Sequence, residues 1–397
     1  MSFLFLAFLF IASFLLLISF LVFFHEMGHY SVAKLFGTAV DRFSIGFGKP
    51  IWKRVDRSGT EWTISRVPLG GYVKFMGDAG AASNPDQSLL EQIRSNIEKK
   101  HGPEAVQSCF HFKPLWQRVL IVLAGPLANF VLAVLLFAIV ALFFGQRDVR
   151  TIVQSVLPDS AAEEAGVLVG DRFLTLDDRN VEHYSDFVSY VVVRSGQTLE
   201  ARIERDGQII SKSITPRRTE RRDAIGGKNN IGMVGVQIGG ESNQVVRSYG
   251  PVGALGQGVE QFNQTLSMTG TYIKRIFQGR EDGKALGGPT RIATMTGKTT
   301  VDVVKLDISL KEKVKYLAHS LLMLSAALSI GLGVANLMPI PALDGGHLLY
   351  YGYEAIAGRP LSEDKQEFGF RIGFAILLTG LVFLTVNDIG YIRSIFS

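Results

Sequence analysis

The sequence predicts a polytopic α-helical membrane protein of about four spans, with a membrane-associated β-hairpin and one small inserted α+β domain. Three observations predict it. The apolar residues, 47% of 397, are gathered into long uncharged blocks rather than spread evenly. A glycine-punctuated, β-like stretch follows the first block. Short alternating β-like runs with turns fill the region between the second and third blocks.

Residues 3–24 carry no charge and are long enough to cross a hydrocarbon core of about 30 Å. No basic region precedes them and no Ala-x-Ala cleavage site follows, so an uncleaved span is expected rather than a signal peptide. The block closes on His25-Glu26-Met27-Gly28-His29, with the motif expected at or just inside the end of the span. Residues 33–118 form a loop rich in Lys and Arg next to both flanking spans, among them Lys34, Arg42, Lys53, Arg54, Arg57, Lys113 and Arg118. The positive-inside rule makes that loop cytoplasmic. Within it, residues 51–55 and 61–67 read as strands around the turn Asp56-Arg57-Ser58-Gly59. The stretch Pro68-Leu69-Gly70-Gly71-Tyr72-Val73-Lys74-Phe75-Met76-Gly77 is apolar yet too short to span. It reads equally as a hairpin dipping into the membrane surface and as a soluble hairpin. Residues 79–101 are expected to be a polar loop with a helical piece.

Residues 119–144 are the second span, containing Gly125-Pro126-Leu127-Ala128-Asn129. Glycine and proline are tolerated at depth where neighbours satisfy the freed backbone groups. Asn129 is a polar side chain in an apolar setting. It reads either as an interhelical hydrogen-bonding group or as part of a polar cavity. Residues 147–217 are the inserted domain, residues 218–228 a basic linker, residues 252–278 an amphipathic helix, and Leu286-Gly287-Gly288-Pro289 a turn. Residues 317–338 form the third span, rich in Ser, Ala and Gly. It breaks at Asn336-Leu337-Met338-Pro339-Ile340-Pro341, and Ala342-Leu343-Asp344-Gly345-Gly346-His347 follows. Residues 370–386 are the fourth span, with Arg371 at its mouth. The domain limits expected are 1–146, 147–217, 218–315 and 316–397. With the first loop cytoplasmic, both termini and the inserted domain lie on the outer face of the membrane. The inserted region is itself basic, but long domains translocate largely regardless of charge.

Net charge is +5, with no basic stripe interleaved with aromatics, so a nucleic-acid partner is not expected. The single cysteine, Cys109, excludes an intrachain disulfide framework and a cysteine-based zinc site.

The chemistry sits in His-Glu-x-x-His. Histidines four apart on a helix share a face and can reach one metal ion, and the adjoining Glu26 is placed to serve as a general base. An ionisable cluster inside a membrane block is a functional hypothesis by default. A catalytic zinc takes three protein ligands, so a third must come from elsewhere. Asp344, just past a broken helix, is the first candidate and His347 the second. His101 and His111 lie in polar or linker-like contexts. His183 and His319 fall on the far side in this topology.

Taken together, His-Glu-Met-Gly-His and Asn336-x-x-Pro339-x-Pro341-x-Leu343-Asp344-Gly345 resemble the site-2 protease family of intramembrane zinc metalloproteases. The run Ala162-x-x-Ala165-Gly166-x-x-x-Gly170-Asp171 and the hairpin after it resemble a PDZ domain of the bacterial protease type. With Gly125-Pro126-x-x-Asn129, this narrows the resemblance to the bacterial envelope-stress branch. The resemblance implies a zinc endopeptidase of the inner membrane that cuts transmembrane segments of anti-sigma factors or remnant signal peptides. It implies His25, His29 and Asp344 as zinc ligands and Glu26 as base. Substrate contacts would come from Asn129 and from the hairpin edge at Gly70, Gly71, Tyr72, Val73, Lys74 and Phe75. The PDZ-like domain would bind peptide ends or act as a size filter. One such unit is found here, where well-known relatives carry two. A transporter, with its broken helices and buried carboxylates, and a non-catalytic PDZ scaffold are the rival classes. Neither explains a glutamate between two histidines.

Overall fold

The computed structural model describes residues 3–77, 87–192, 194–222, 228–239, 244–279 and 287–396. Helix α1 (Phe3–Leu35) holds 33 residues and therefore runs about 50 Å, well beyond a hydrocarbon core. The His-Glu-x-x-His motif lies in its interior and not at its end. Polar side chains end an apolar run without ending a helix, because the main-chain ladder is indifferent to them. The helix stops where Gly37 takes a left-handed φ of 64° and the Thr38 N–H bonds back to the Ala33 carbonyl.

Strands β1 (Val40–Val55) and β2 (Glu61–Phe75) then pair antiparallel around a turn at Asp56. That carboxylate accepts from the Ser58 and Thr60 backbone and from Trp62 Nε1 at 2.9 Å. The Trp62 bond is the main cause holding its carboxyl below the usual range. Residues 68–75, read from sequence as a hairpin of their own, continue β2 instead. The strand doubles round β1, so Phe43 faces Trp62 on one side and Val73 on the other. Gly46 allows the bend: at φ 87°, a Cβ there would meet the Val67 carbonyl oxygen at 2.7 Å. Asp78 and residues 79–86, the start of the expected polar loop, lie outside the described residues. Helix α2 (Gln87–His101) supplies Ile93 and Ile97 to a small cluster with Val106 and Cys109.

Helix α3 (Leu115–Phe144) carries Pro126 in its interior. Strands β3 (Gln146–Val149) and β4 (Val153–Val156), helix α4 (Ala161–Glu164), strands β5 (Arg172–Leu176) and β6 (Arg179–Asn180), helix α5 (Tyr184–Val192), and strands β7 (Leu199–Arg205) and β8 (Gln208–Ile214) follow. Of residues 218–228, expected to be a linker, 218–222 and 228 lie in strands instead, and 223–227 lie outside the described residues. Strands β9 (Arg217–Arg222) and β10 (Lys228–Met233) pair antiparallel, and β11 (Val236–Ile238) and β12 (Gln244–Arg247) come next. Helix α6 (Pro251–Phe277) matches the expected amphipathic stretch. The expected turn at Pro289 is the first residue of helix α7 (Pro289–Lys305), and Leu286 lies outside the described residues. Helices α8 (Leu310–Asn336), α9 (Asp344–Ala357) and α10 (Glu363–Phe396) complete the chain.

The chain divides into two compact units. One is Met1–Ile139 with Leu255–Ile273 and Asp282–Ser397; the other is Val140–Ala254 with Lys274–Glu281. Among the described residues, four helical segments are long and apolar enough to cross a membrane: Phe8–Leu35, Leu115–Phe144, Leu310–Asn336 and Asp364–Ile389. In the first unit, Leu17 and Leu21 of α1, Leu132, Ala133, Leu136 and Phe137 of α3, and Ala326 and Ile330 of α8 form the buried core. Small residues set the distance between α1 and α3, since a Cβ on Gly28 would lie 2.2 Å from the Ala124 carbonyl oxygen. Near the end of α10, the fully buried Asp388 accepts from the Gly288 and Arg291 backbone at the start of α7 and pairs with Arg291 Nε at 3.2 Å.

The second unit is built on a four-stranded antiparallel sheet in the order β6-β5-β7-β8. Inward residues Leu199, Ala201 and Ile203 alternate with outward ones along β7 and pack on Phe173, Leu176, Phe187 and Val191. Strand β11 pairs with β4, and β12 with β3. Asp171, 1% exposed, is bound twice by the Arg205 guanidinium and accepts from the Leu168 N–H.

Candidate active site

Helical spacing puts His25 and His29 on the face of α1 turned towards α3, with Nε2 atoms 3.3 Å apart. Asp344 arrives from far along the chain. Pro339 and Pro341 end the path of α8, Ala342 takes a strained φ of 96°, and α9 begins at Asp344. Gly345 and Gly346 let the start of α9 lie against the end of α8. A Cβ on either would come within 2.5 Å of a carbonyl oxygen, Met338 for the first and Ile340 for the second. The result sets Asp344 Oδ2 3.3 Å from His25 Nε2 and 3.6 Å from His29 Nε2.

These three donors suit a zinc ion. Ligands about 2.0–2.1 Å from one tetrahedral centre lie about 3.3 Å from one another. The observed separations of 3.3, 3.3 and 3.6 Å match that edge length. Asp344 Oδ2 is buried without a hydrogen-bond partner among the described residues. A carboxylate with two neutral imidazoles is a common zinc donor set. Among the described residues this is the grouping of His, Cys, Asp and Glu side chains close enough to share a metal ion. His347 is placed elsewhere, its ring edge-on to Tyr350 with centroids 6.4 Å apart. His111 lies buried in the short turn 110–112 and His183 next to Asp186 in the second unit.

Helix α3 forms the wall behind both imidazoles. Nδ1 of His29 is 2.8 Å from the Ile121 carbonyl oxygen, and Nδ1 of His25 is 3.0 Å from the Asn129 side-chain amide. Gly125 makes room: a Cβ there would sit 2.2 Å from His29 Nε2. Asn336, at the end of α8, reaches within 3.4 Å of His25 Nε2. Glu26 is buried and its carboxylate faces the Val73 backbone N–H of β2. A Cβ on Gly71 would meet Glu26 Cγ at 3.1 Å, so β2 runs directly beside the glutamate.

The two histidines, Glu26, Asp344 and Asn129, all marked by the sequence, converge here. The roles of Gly28 and of the Ile121 carbonyl emerge only from the structure. Gly28 was visible inside the motif. Nothing local marks a main-chain carbonyl as a histidine acceptor.

Comparison with known proteins accords with this geometry. The family model for peptidase family M50 matches residues 13–380. A protein of Rhizobium meliloti (strain 1021) named as a zinc metalloprotease is 42% identical over 383 residues, covering 96% of both chains. Metalloprotease MmpA of Caulobacter vibrioides is 38% identical over 379 residues, covering 96% of this chain and 95% of its own. A protein of Agrobacterium fabrum (strain C58) named in the same way is 39% identical over 383 residues. With a family model spanning nearly its whole length and such relatives along all of it, this chain belongs to peptidase family M50, the site-2 protease type, and is a zinc metalloendopeptidase.

Proposed function

We propose that this enzyme cuts transmembrane segments of single-span proteins within the bilayer, with His25, His29 and Asp344 as zinc ligands and Glu26 as general base. The observation that carries the reading is the tetrahedral spacing of the three donors, two of them on a helix long enough to cross a membrane. Bound zinc supplies electrophilic polarisation of the scissile carbonyl and of the attacking water. Glu26 takes a proton from that water as its oxygen adds to the carbonyl carbon. It returns the proton to the amine nitrogen as the C–N bond breaks.

A transmembrane helix hides its carbonyls in its own ladder and must unwind before it can be cut. The segment Gly70, Gly71, Tyr72, Val73, Lys74 and Phe75 is the edge we assign to the unwound substrate strand, a β-augmentation that satisfies its exposed backbone. In support, Gly71–Val73 pairs with 43–45 along one side, while the Val73 N–H faces Glu26. We read the exposed Ile51, Trp52, Val55 and Val67 of this hairpin as its membrane-facing surface. Residues 147–217 are read as a PDZ-like domain that binds peptide ends or filters by size. The domain limits 1–146, 147–217, 218–315 and 316–397 belong to the same reading. The basic loop between the first two spans favours a bacterial inner-membrane topology, with that loop cytoplasmic and the PDZ-like domain and termini periplasmic. Anti-sigma factors and remnant signal peptides are the substrate classes proposed.

The test co-expresses wild type or Glu26→Gln with tagged single-span proteins. A substrate is expected to accumulate uncut with the mutant alone, while the purified mutant keeps its zinc. General-base loss slows such reactions by about 10²–10⁴-fold. Turnover by Glu26→Gln near the wild-type rate overturns the assignment. In parallel, Asp344→Ala is expected to lose zinc and His347→Ala to keep it, read by metal mass spectrometry.

A further inference from the structure

The two histidines have the same need and meet it differently. An imidazole that gives its Nε2 lone pair to a metal must carry its proton on Nδ1, and that N–H requires an acceptor. His29 finds one in the main chain, the Ile121 carbonyl oxygen at 2.8 Å. Nδ1 of His25 lies opposite the Nε2 that faces Asp344 and His29, and the group it meets is the Asn129 side chain at 3.0 Å. Asn129 is fully buried, and its own carbonyl accepts from Ser329 Oγ of α8 at 2.8 Å, which holds this part of α3 in place. Its Oδ1 has no hydrogen-bond partner among the described residues. The amide oxygen and nitrogen exchange places by a half-turn of one torsion with little change of shape. In one orientation the Asn129 amide N–H meets the His25 Nδ1–H, two donors with no acceptor between them. In the other, the stranded Oδ1 accepts from His25 Nδ1–H.

Resting on the reading of His25 as a zinc ligand, we propose that Asn129 is a positioning residue. Its Oδ1 accepts from His25 Nδ1–H, selects the tautomer with the Nε2 lone pair free, and stops the ring from rotating. It therefore sets zinc affinity without touching substrate. This differs from an interhelical hydrogen bond, which would govern the stability of the helices, and from a substrate contact, which would leave zinc untouched.

The test measures zinc affinity of the purified full-length apoprotein by competition with a chromophoric chelator. The variants are Asn129→Asp, Asn129→Leu and Asn129→Ala, with Co²⁺ absorption as a spectroscopic readout of the donor set. Asn129→Asp keeps an acceptor and is expected to hold zinc at least as tightly as wild type. Asn129→Leu keeps the branching of the side chain but offers no acceptor, and is expected to bind about 10–100-fold more weakly. Asn129→Ala, should the leucine fail to fold, is expected to show the same loss. Altered Co²⁺ spectra are expected in the leucine and alanine variants alone. Wild-type zinc affinity in both of these overturns the proposal. So does an equal loss in all three variants, which would mark a packing role. Failure of the underlying reading is distinct: it would appear as zinc retained by His25→Ala.

Discussion

A single hydrogen atom decides residue 125. Gly125 sits behind the imidazoles, and a methyl group there would lie 2.2 Å from His29 Nε2 and 2.8 Å from His25 Cε1. Neither ring can retreat, since His29 Nδ1 is held by Ile121 and His25 Nδ1 by Asn129. Gly125→Ala is therefore expected to push the rings out of register and cost at least about tenfold in zinc affinity, as a ligand-orienting change does. The purified mutant should stay folded, because an alanine suits a helix. Full zinc content in Gly125→Ala would show that α3 is not the wall of the site. In the sequence this glycine stands in the run Gly125-Pro126-x-x-Asn129 without a role of its own; only its distance from two rings gives it one.

At the scale of elements, the placement of Asp344 depends on α9, and α9 is held at both ends. Its start is pressed on the end of α8 through Gly345 and Gly346. Further along, Glu354 forms a two-pronged pair with Arg118 at the start of α3, and the guanidinium also lies over the Tyr351 ring at 5.1 Å. Both charged side chains are largely buried, so removing one strands the other. Arg118→Met is expected to destabilise the fold by about 3 kcal/mol, seen as a lowered unfolding midpoint. Arg118→Met with Glu354→Leu should recover much of that loss, because no charge remains unpaired. An equal loss in single and double variants would deny the pair its anchoring role.

The second unit has its own anchor. Burial pushes the Asp171 carboxyl up, but the Arg205 guanidinium and the Leu168 N–H outweigh it and hold it below its usual range. A carboxyl depressed in the folded state contributes stability above its unfolded value of about 3.9, and that contribution fades as pH falls through the folded value. Acid titration of unfolding is thus expected to show a loss for wild type below about pH 4. Asp171→Asn should begin less stable and show a shallower loss over the same window.

For the whole molecule, the proposed ligands all lie in the unit Met1–Ile139 with Leu255–Ile273 and Asp282–Ser397. The larger segment of the second unit, Val140–Ala254, is an insertion whose ends meet. Gln146 of β3 stands opposite Arg247 of β12. Replacing residues 149–244 by an Asn-Gly turn should close that ladder as a hairpin. The shortened enzyme is expected to keep zinc and to cut pre-trimmed substrates, while accepting full-length ones that the wild type refuses. A folded deletion without zinc would sink the idea that the insertion only selects. A cut at 147–217, the limits drawn from sequence, is expected to fare worse. It removes β4 and leaves β11 without the strand it pairs with.

The sequence by itself determined the membrane class, the helical spans, the face shared by His25 and His29, and Glu26 beside them. Each of these is written in local periodicity or in runs of apolar residues, which neighbours along the chain decide. Only the tertiary structure brought Asp344 rather than His347 to the imidazoles, made α3 their backing wall and doubled β2 round β1. It also turned the basic stretch after residue 217 into paired strands and buried Asp388 against α7. The surroundings of the imidazoles rest on contacts between residues 92, 104 or 311 positions apart, His29 with Ile121, His25 with Asn129 and His25 with Asn336. No periodicity carries such pairings. They follow from how closely glycines let helices approach and from where buried polar atoms find partners.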